Sequence, residues 1–331
     1  MTIENLTLTD QWDKVFPPSE SVDQEKVTFH NRFGITLAAD LYRPKNVSGR
    51  LPALVVSGPF GAVKEQSSGL YAQTMAERGF LTVAFDPSYT GESGGTPRRV
   101  SSPDINTEDF SAAIDYLLQR DDVDHEAAGI IGICGWGGIA LNAAALDPRI
   151  KATLASTPYV MTRVATKGYF DADDSADKRM AARQALAAQR TVDYANGTYE
   201  RAGGVVDPLP ADVPQFVADY HAYYKTPRGF HARSGNSTDG WNATSNLSWM
   251  NTNLLQFASE IENPVMVLHG EKAHSRYMGK GAFDLLTGDN KELVIVPGAS
   301  HTDLYDGGDS SAIPFDTIER FFASHLGVER G

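Results

Sequence analysis

Short unbroken apolar runs recur along this chain at a spacing that few architectures accommodate. Ala53-Leu54-Val55-Val56, Leu81-Thr82-Val83-Ala84-Phe85, Gly129-Ile130-Ile131-Gly132-Ile133 and Lys151-Ala152-Thr153-Leu154-Ala155 come first, and Val265 to His269 and Glu292 to Val296 follow late. A half-exposed strand would alternate; runs without alternation fit strands covered on both faces. Segments of helical spacing lie between them. Tyr71 to Arg78 stops at Gly79, a C-cap residue; Asp109 to Arg120 gathers Phe110, Ala113, Ile114, Leu117 and Leu118 on one face; Gly138 to Leu146 follows the third run. Because strand–helix–strand crossovers are right-handed, this alternation predicts an α/β fold with a mostly parallel, doubly wound sheet. A last helix is expected from Pro314 to about Leu326.

Two stretches depart from the pattern. Val27-Thr28-Phe29 and Ile35 to Tyr42 alternate across Asn31-Arg32-Phe33-Gly34, an antiparallel hairpin preceding the parallel part. Residues 1–25 are polar, broken by Pro17-Pro18, and are expected to wrap the surface as an N-terminal arm. Residues 157–260 separate the early strands from the late ones. A structureless loop of that length does not suit a compact domain, so a mostly helical cap insertion is expected, with helices over Asp177 to Arg190 and Val213 to Tyr224. Its rings, among them Tyr159, Tyr169, Phe216, Tyr220, Trp241 and Trp249, suit a cover over an apolar pocket and equally suit an extra layer of core. The core is then 26–156 together with 261–331.

The net charge of −13 and the absence of any Lys/Arg cluster beyond Arg98-Arg99 argue against nucleic-acid and anionic-membrane partners. No window has the apolar length of a membrane span, and the beginning MTIENLTLTD has no signal-peptide character. One cysteine cannot form an internal disulfide, so a cytoplasmic protein is expected. No metal is expected, since His269 and His274 bracket Glu271 without a metal-binding helix, and Gly91-Glu92-Ser93-Gly94-Gly95 lacks phosphate-binding spacing; no cofactor is implied. Oligomeric state stays open.

That lone cysteine, Cys134, stands in Gly132-Ile133-Cys134-Gly135-Trp136-Gly137-Gly138, directly after an apolar run and before a helix. A tight strand-to-helix turn lifts its central side chain above the sheet, where a thiol can act as a nucleophile if a base takes its proton. Counting back from Gly137-Gly138 instead puts Gly135 at the nucleophile position, which would leave the site without chemistry. The alternative use of the thiol is as a small buried hydrophobe. His301, in Gly298-Ala299-Ser300-His301-Thr302-Asp303 just after the last run, is the candidate base, by general-base action or as a thiolate–imidazolium pair.

Together with Gly58-Pro59-Phe60-Gly61 and Asp86 to Gly95, these motifs resemble the α/β-hydrolase superfamily, and within it the dienelactone-hydrolase and acyl-peptidase-like esterases, over roughly residues 27–326. The resemblance implies the α/β-hydrolase fold and an ester-acting hydrolase reaction class; with Cys134 as nucleophile the expected function is cleavage, or acyl transfer, of a small-molecule acyl substrate, a small carboxylic ester, lactone or thioester, through an acyl-thioenzyme. The resemblance also implies an oxyanion hole from the amides of Gly135 and of Phe60 or Gly61. The family's acid falls on Ala273 here. Glu271 is the leading substitute, with Asp303, Glu65 and a plain Cys–His dyad as the alternatives. Glu65 lies beside Lys64, and such an adjacent pair is expected at the surface. A non-catalytic binding or structural protein is the competing reading, and peptidase action a third.

Overall fold

In a computed structural model, which describes residues 4–327, the first strands are β1 (Val22–His30) and β2 (Thr36–Pro44), an antiparallel hairpin. Then β3 (Leu51–Ser57), α1 (Ser67–Ala76), β4 (Leu81–Phe85), α2 (Pro103–Leu117), β5 (Val123–Ile133), α3 (Gly135–Leu146) and β6 (Ala152–Ser156) alternate as expected. The chain then leaves the sheet through α4 (Met161–Lys167), α5 (Ala176–Asn196), α6 (Gln215–Tyr224) and α7 (Asn246–Trp249). It returns as β7 (Val265–Gly270), α8 (Arg276–Phe283), β8 (Lys291–Val296), α9 (Asp303–Asp306) and α10 (Phe315–His325).

The eight strands form one sheet in the order β1-β2-β4-β3-β5-β6-β7-β8, with β2 antiparallel to both neighbours and every pair from β4 to β8 parallel. This is the α/β-hydrolase fold. The centre of β3, β4, β6 and β7 is wholly buried, which explains why those strands read as continuous apolar runs. Helix boundaries follow local chemistry: Pro103 opens α2 behind Ser102, whose Oγ accepts from the Ile105 N–H, earlier than the apolar periodicity alone suggests. Strand β1 starts at Val22, inside the stretch expected to be arm. Its edge position and mixed exposure left no run to read.

The rings of residues 157–260 divide by role. Tyr159, Tyr169, Phe216, Tyr220, Tyr224 and Trp241 line a cavity of about 850 Å³. Tyr223 and Trp249 are fully buried in the main core, whereas Tyr194 is 91% exposed. Both earlier readings of these rings therefore hold, for different members. Among the described residues no helix is long and apolar enough to cross a membrane.

Candidate active site

Cys134 occupies the junction between β5 and α3 with φ 57° and ψ −121°, a left-handed conformation that a non-glycine residue adopts only when its surroundings enforce it. Three backbone hydrogen bonds do so: Cys134 N–H donates to Ser156 O (2.9 Å), and Cys134 O accepts from Gly137 N (2.9 Å) and Tyr159 N (2.8 Å). Gly132 must be glycine, since a Cβ there would run into the Trp136 carbonyl. The elbow is thus centred on Cys134, and Gly135 begins the helix. The Trp136 ring packs edge-on against Phe85 and Phe110.

Four groups favour the ionised thiol: the amides of Gly135 and Phe60 and the phenols of Tyr305 and Tyr220. Burial nevertheless dominates and pushes the thiol up to about 11. Phe60 is held in place by residues from the segment between β6 and β7. Asn236 Nδ2 donates to Phe60 O (2.6 Å), Asn236 N and Ser234 Oγ donate to Gly61 O (3.1 and 3.0 Å), and the Phe60 ring meets Trp241 and Trp249 edge-on. Gly61, at φ +81° and with Asn236 where a Cβ would lie, allows this close approach. Of the two candidate loop amides, Phe60's is the one that acts on the thiol's ionisation.

His301 is fully buried beside this elbow, and its hydrogen bonds differ from the expected arrangement. Nδ1 lies 2.6 Å from Ser275 Oγ and 3.1 Å from Thr157 Oγ1; Nε2 lies 3.0 Å from the Tyr305 hydroxyl. No hydrogen bond joins the imidazole to the sulfur directly among the described residues. Burial, then the neighbouring His274 and His269 rings, holds the imidazole well below its ordinary value. With a raised thiol and a lowered imidazole, both groups are neutral at physiological pH. Of the two protonation schemes, this favours general-base activation over a preformed ion pair.

The structure does not bring Glu271 to the ring. Its Oε2 accepts from the Gly298 N–H (2.8 Å) at an exposed position on the far side of the β7 terminus. Asp303 accepts from Ser300 N and lies beside Arg228, and Glu65 is enclosed by Lys64, Lys26 and Arg233. The physical reason is direction: Glu271 follows β7 immediately and points to the loop after β8, whereas Ser275, one turn further, faces inward. Lys64 and Glu65, expected at the surface, are both fully buried. Ser275, Thr157 and Tyr305 went unread in the sequence; only Tyr305, four residues after His301, left a trace.

His274 and His269 complete the surroundings. The His274 ring stacks on Phe216 (centroids 4.3 Å apart) and lies 5.1 Å from His301, with no hydrogen bond to either nitrogen; burial lowers it to about 4. His269 is likewise lowered by burial to about 4, although Pro158 O accepts from or approaches its Nε2 at 3.3 Å. The only group of three potential ligands for a metal ion among the described residues is Glu65, Asp86 and Glu92, and the Lys64 ammonium already lies among these carboxylates.

The model of one family, described as X-Pro dipeptidyl-peptidase (S15 family), matches residues 34–303. The chain belongs to that family. An uncharacterized Pseudomonas aeruginosa protein, PA2218, is 57% identical over 325 residues, covering 97% of this chain and 86% of that protein. Its crystal structure superimposes with a TM-score of 0.94 at 56% identity, covering 97% of this chain and 99% of that one. The uncharacterized Escherichia coli protein YcjY is 34% identical over 91% of this chain and 99% of its own length. The thiohydrolase aneE of Aspergillus aculeatus is 30% identical over 66% of this chain and 62% of its own. Membership of an S15 hydrolase family agrees with the expectation of a hydrolase. It also gives the peptidase reading more weight than the sequence analysis did.

Proposed function

We propose that this S15-family member is a cysteine-dependent acyl hydrolase or acyltransferase that works on an ester or thioester of an uncharged acyl group through an acyl-thioenzyme. The observation that carries this is the placement of Cys134, strained into the strand-to-helix elbow on the lining of the cavity. Attack by sulfur on the acyl carbonyl would move negative charge to the carbonyl oxygen, where the N–H groups of Gly135 and Phe60 would stabilise it. His301 would receive the thiol proton and return it to the leaving group. Water, or an acceptor hydroxyl or thiol, would then release the acyl group.

The cavity argues for acyl rather than dipeptidyl substrates. An enzyme that removes dipeptides from an N-terminus must hold a protonated α-amine, and a buried cation requires a carboxylate partner. The cavity lining has none: among the described residues that form it there is no Asp, Glu, Lys or Arg, and its polar groups are phenols, the amides of Asn236 and Asn246, and the Trp241 indole N–H. The resemblance to a thiohydrolase points in the same direction.

The test is a panel of p-nitrophenyl esters, acyl thioesters and X-Pro anilides, with intact-mass detection of an acyl adduct. Turnover of esters or thioesters is expected, with an adduct on Cys134 and loss of both in Cys134→Ala. Wild-type turnover in Cys134→Ala would overturn the proposal; efficient anilide cleavage would restore the dipeptidase reading. The lack of a carboxylate on His301 favours one second reading, a binding protein that has lost turnover, which predicts ligand-dependent melting shifts and no adduct anywhere in the panel.

A further inference from the structure

Tyr305 sits on α9, wholly buried, at the inner end of the cavity that Cys134 also lines. Its hydroxyl is 3.0 Å from His301 Nε2, and the phenol and the Cys134 thiol shift one another's ionisation. The nitrogen that should receive the thiol proton is therefore occupied by a phenol, and that phenol lines the same cavity as the thiol. On the opposite side of the ring, Ser275 Oγ and Thr157 Oγ1 surround Nδ1. Two hydroxyl oxygens there can accept from an Nδ1–H, which leaves Nε2 as an acceptor for the Tyr305 O–H. Tyr305 O–H to His301 Nε2 and His301 Nδ1–H to Ser275 oxygen then run in one direction, which leaves the Tyr305 oxygen free to accept from the Cys134 S–H during reaction.

We propose that Tyr305 is a catalytic residue that carries the proton between Cys134 and His301. The step balances without any other reagent. As sulfur bonds to the acyl carbon, the S–H bond breaks and its proton passes to the Tyr305 oxygen; the phenolic proton moves to Nε2, so the phenol ends neutral and the imidazole protonated. In the reverse direction the same path returns a proton to the leaving group. The arrangement also accounts for the absent carboxylate. Hydroxyl partners at Nδ1 keep the ring neutral and available as an acceptor, whereas a carboxylate would stabilise the charged form before substrate arrives.

The inference rests on Cys134 being the nucleophile, and the test separates the two. Pre-steady-state acylation by a p-nitrophenyl ester is measured for wild type, Tyr305→Phe, His301→Ala and the double variant, with Cys134→Ala as the control. Tyr305→Phe is expected to slow acylation by about 10²-fold or more with little change in KM, the range for removal of general acid–base assistance. It is also expected to flatten a curved proton inventory to a linear one, and the double variant is expected to be no slower than His301→Ala alone. Effects that multiply in the double variant, or acylation by Tyr305→Phe at the wild-type rate, would overturn the relay while leaving the nucleophile standing. Undiminished acylation in Cys134→Ala would remove the nucleophile instead. Should Tyr305→Phe fail to fold, replacing Tyr305 with 3,5-difluorotyrosine keeps the shape and makes the phenol more acidic. The pH–rate profile is then expected to move to lower pH, and an unmoved profile would overturn the relay.

Discussion

Replacing Lys64 by Met preserves the volume of the side chain and removes one buried charge. Its Nζ lies 2.6 Å from Glu65 Oε1, 2.9 Å from Asp86 Oδ2 and 2.6 Å from Glu92 Oε2, with all four side chains buried. Glu65 would keep Arg233 and Lys26, and Glu92 would keep Lys26, but Asp86 has no other ion-pair partner among the described residues. Breaking a buried pair by removing one member costs about 3–5 kcal/mol. At about 2.1 cal/mol/K per residue, a chain of 331 residues has an unfolding entropy of about 0.7 kcal/mol/K, so Tm is expected to fall by about 4–7 °C. The pH dependence has a definite sign. Burial alone would raise the Glu92 carboxyl, but Lys64 and Lys26 bring it to about 2, and Glu65 is held low in the same way. A depressed carboxyl stabilises the fold above its unfolded value and loses that contribution as pH falls toward the folded value. Asp86 is raised by burial even beside Lys64 and would rise further without it, so the deficit of Lys64→Met is widest near neutral pH and narrows on acidification, beginning above about pH 4.3, the unperturbed glutamate value. Differential scanning calorimetry across that range is the assay. A Tm within about 1 °C of wild type near neutral pH, or a gap that widens with acid, would refute the reasoning.

Further outcomes follow from the site. In Gly135→Ala the new Cβ would lie 2.6 Å from Phe60 Cβ, so the loop carrying the second amide must shift; kcat is expected to fall by about 10²-fold with the fold retained by circular dichroism, and an unchanged kcat would show that these amides do not stabilise the reaction. Glu271→Gln is expected to leave turnover within about two-fold, whereas Ser275→Ala removes a hydrogen bond worth about 1 kcal/mol and is expected to lower kcat roughly five-fold. The opposite ranking would make Glu271 the partner of the ring. Because burial places the thiol at about 11, iodoacetamide labelling of Cys134 is expected to climb only above about pH 9; labelling already saturated at neutral pH would reveal a preformed thiolate.

Much of the architecture could be read locally. Residues such as Val55, Val83, Ile131 and Val267 sit in strands covered on both faces, so burial alone dictates an apolar run, and a run is visible without knowing its neighbours. The same holds for the Cys134 elbow, where Gly132 and the strand before it register a backbone constraint directly in residue type. Glu271 shows where such reading stops. Its position after β7 was correct for a partner of the histidine, but a displacement of one turn decides whether a side chain faces the loop after β8 or the ring, and no periodicity records that.

The order of residues alone therefore determined the alternating layers, the strand-to-helix turn with sulfur at its apex, and a downstream histidine, because each is imposed by hydrogen bonding and burial within a few neighbouring positions. Tertiary structure alone decided that Ser275 and Thr157 flank one nitrogen of that histidine, that Tyr305 meets the other, and that Lys64 is buried among three carboxylates. Those contacts join segments far apart in the chain, and a hydroxyl or an ammonium has the same identity whether it faces water or its partner. Only packing fixes the direction and the desolvation that turn it into a working group.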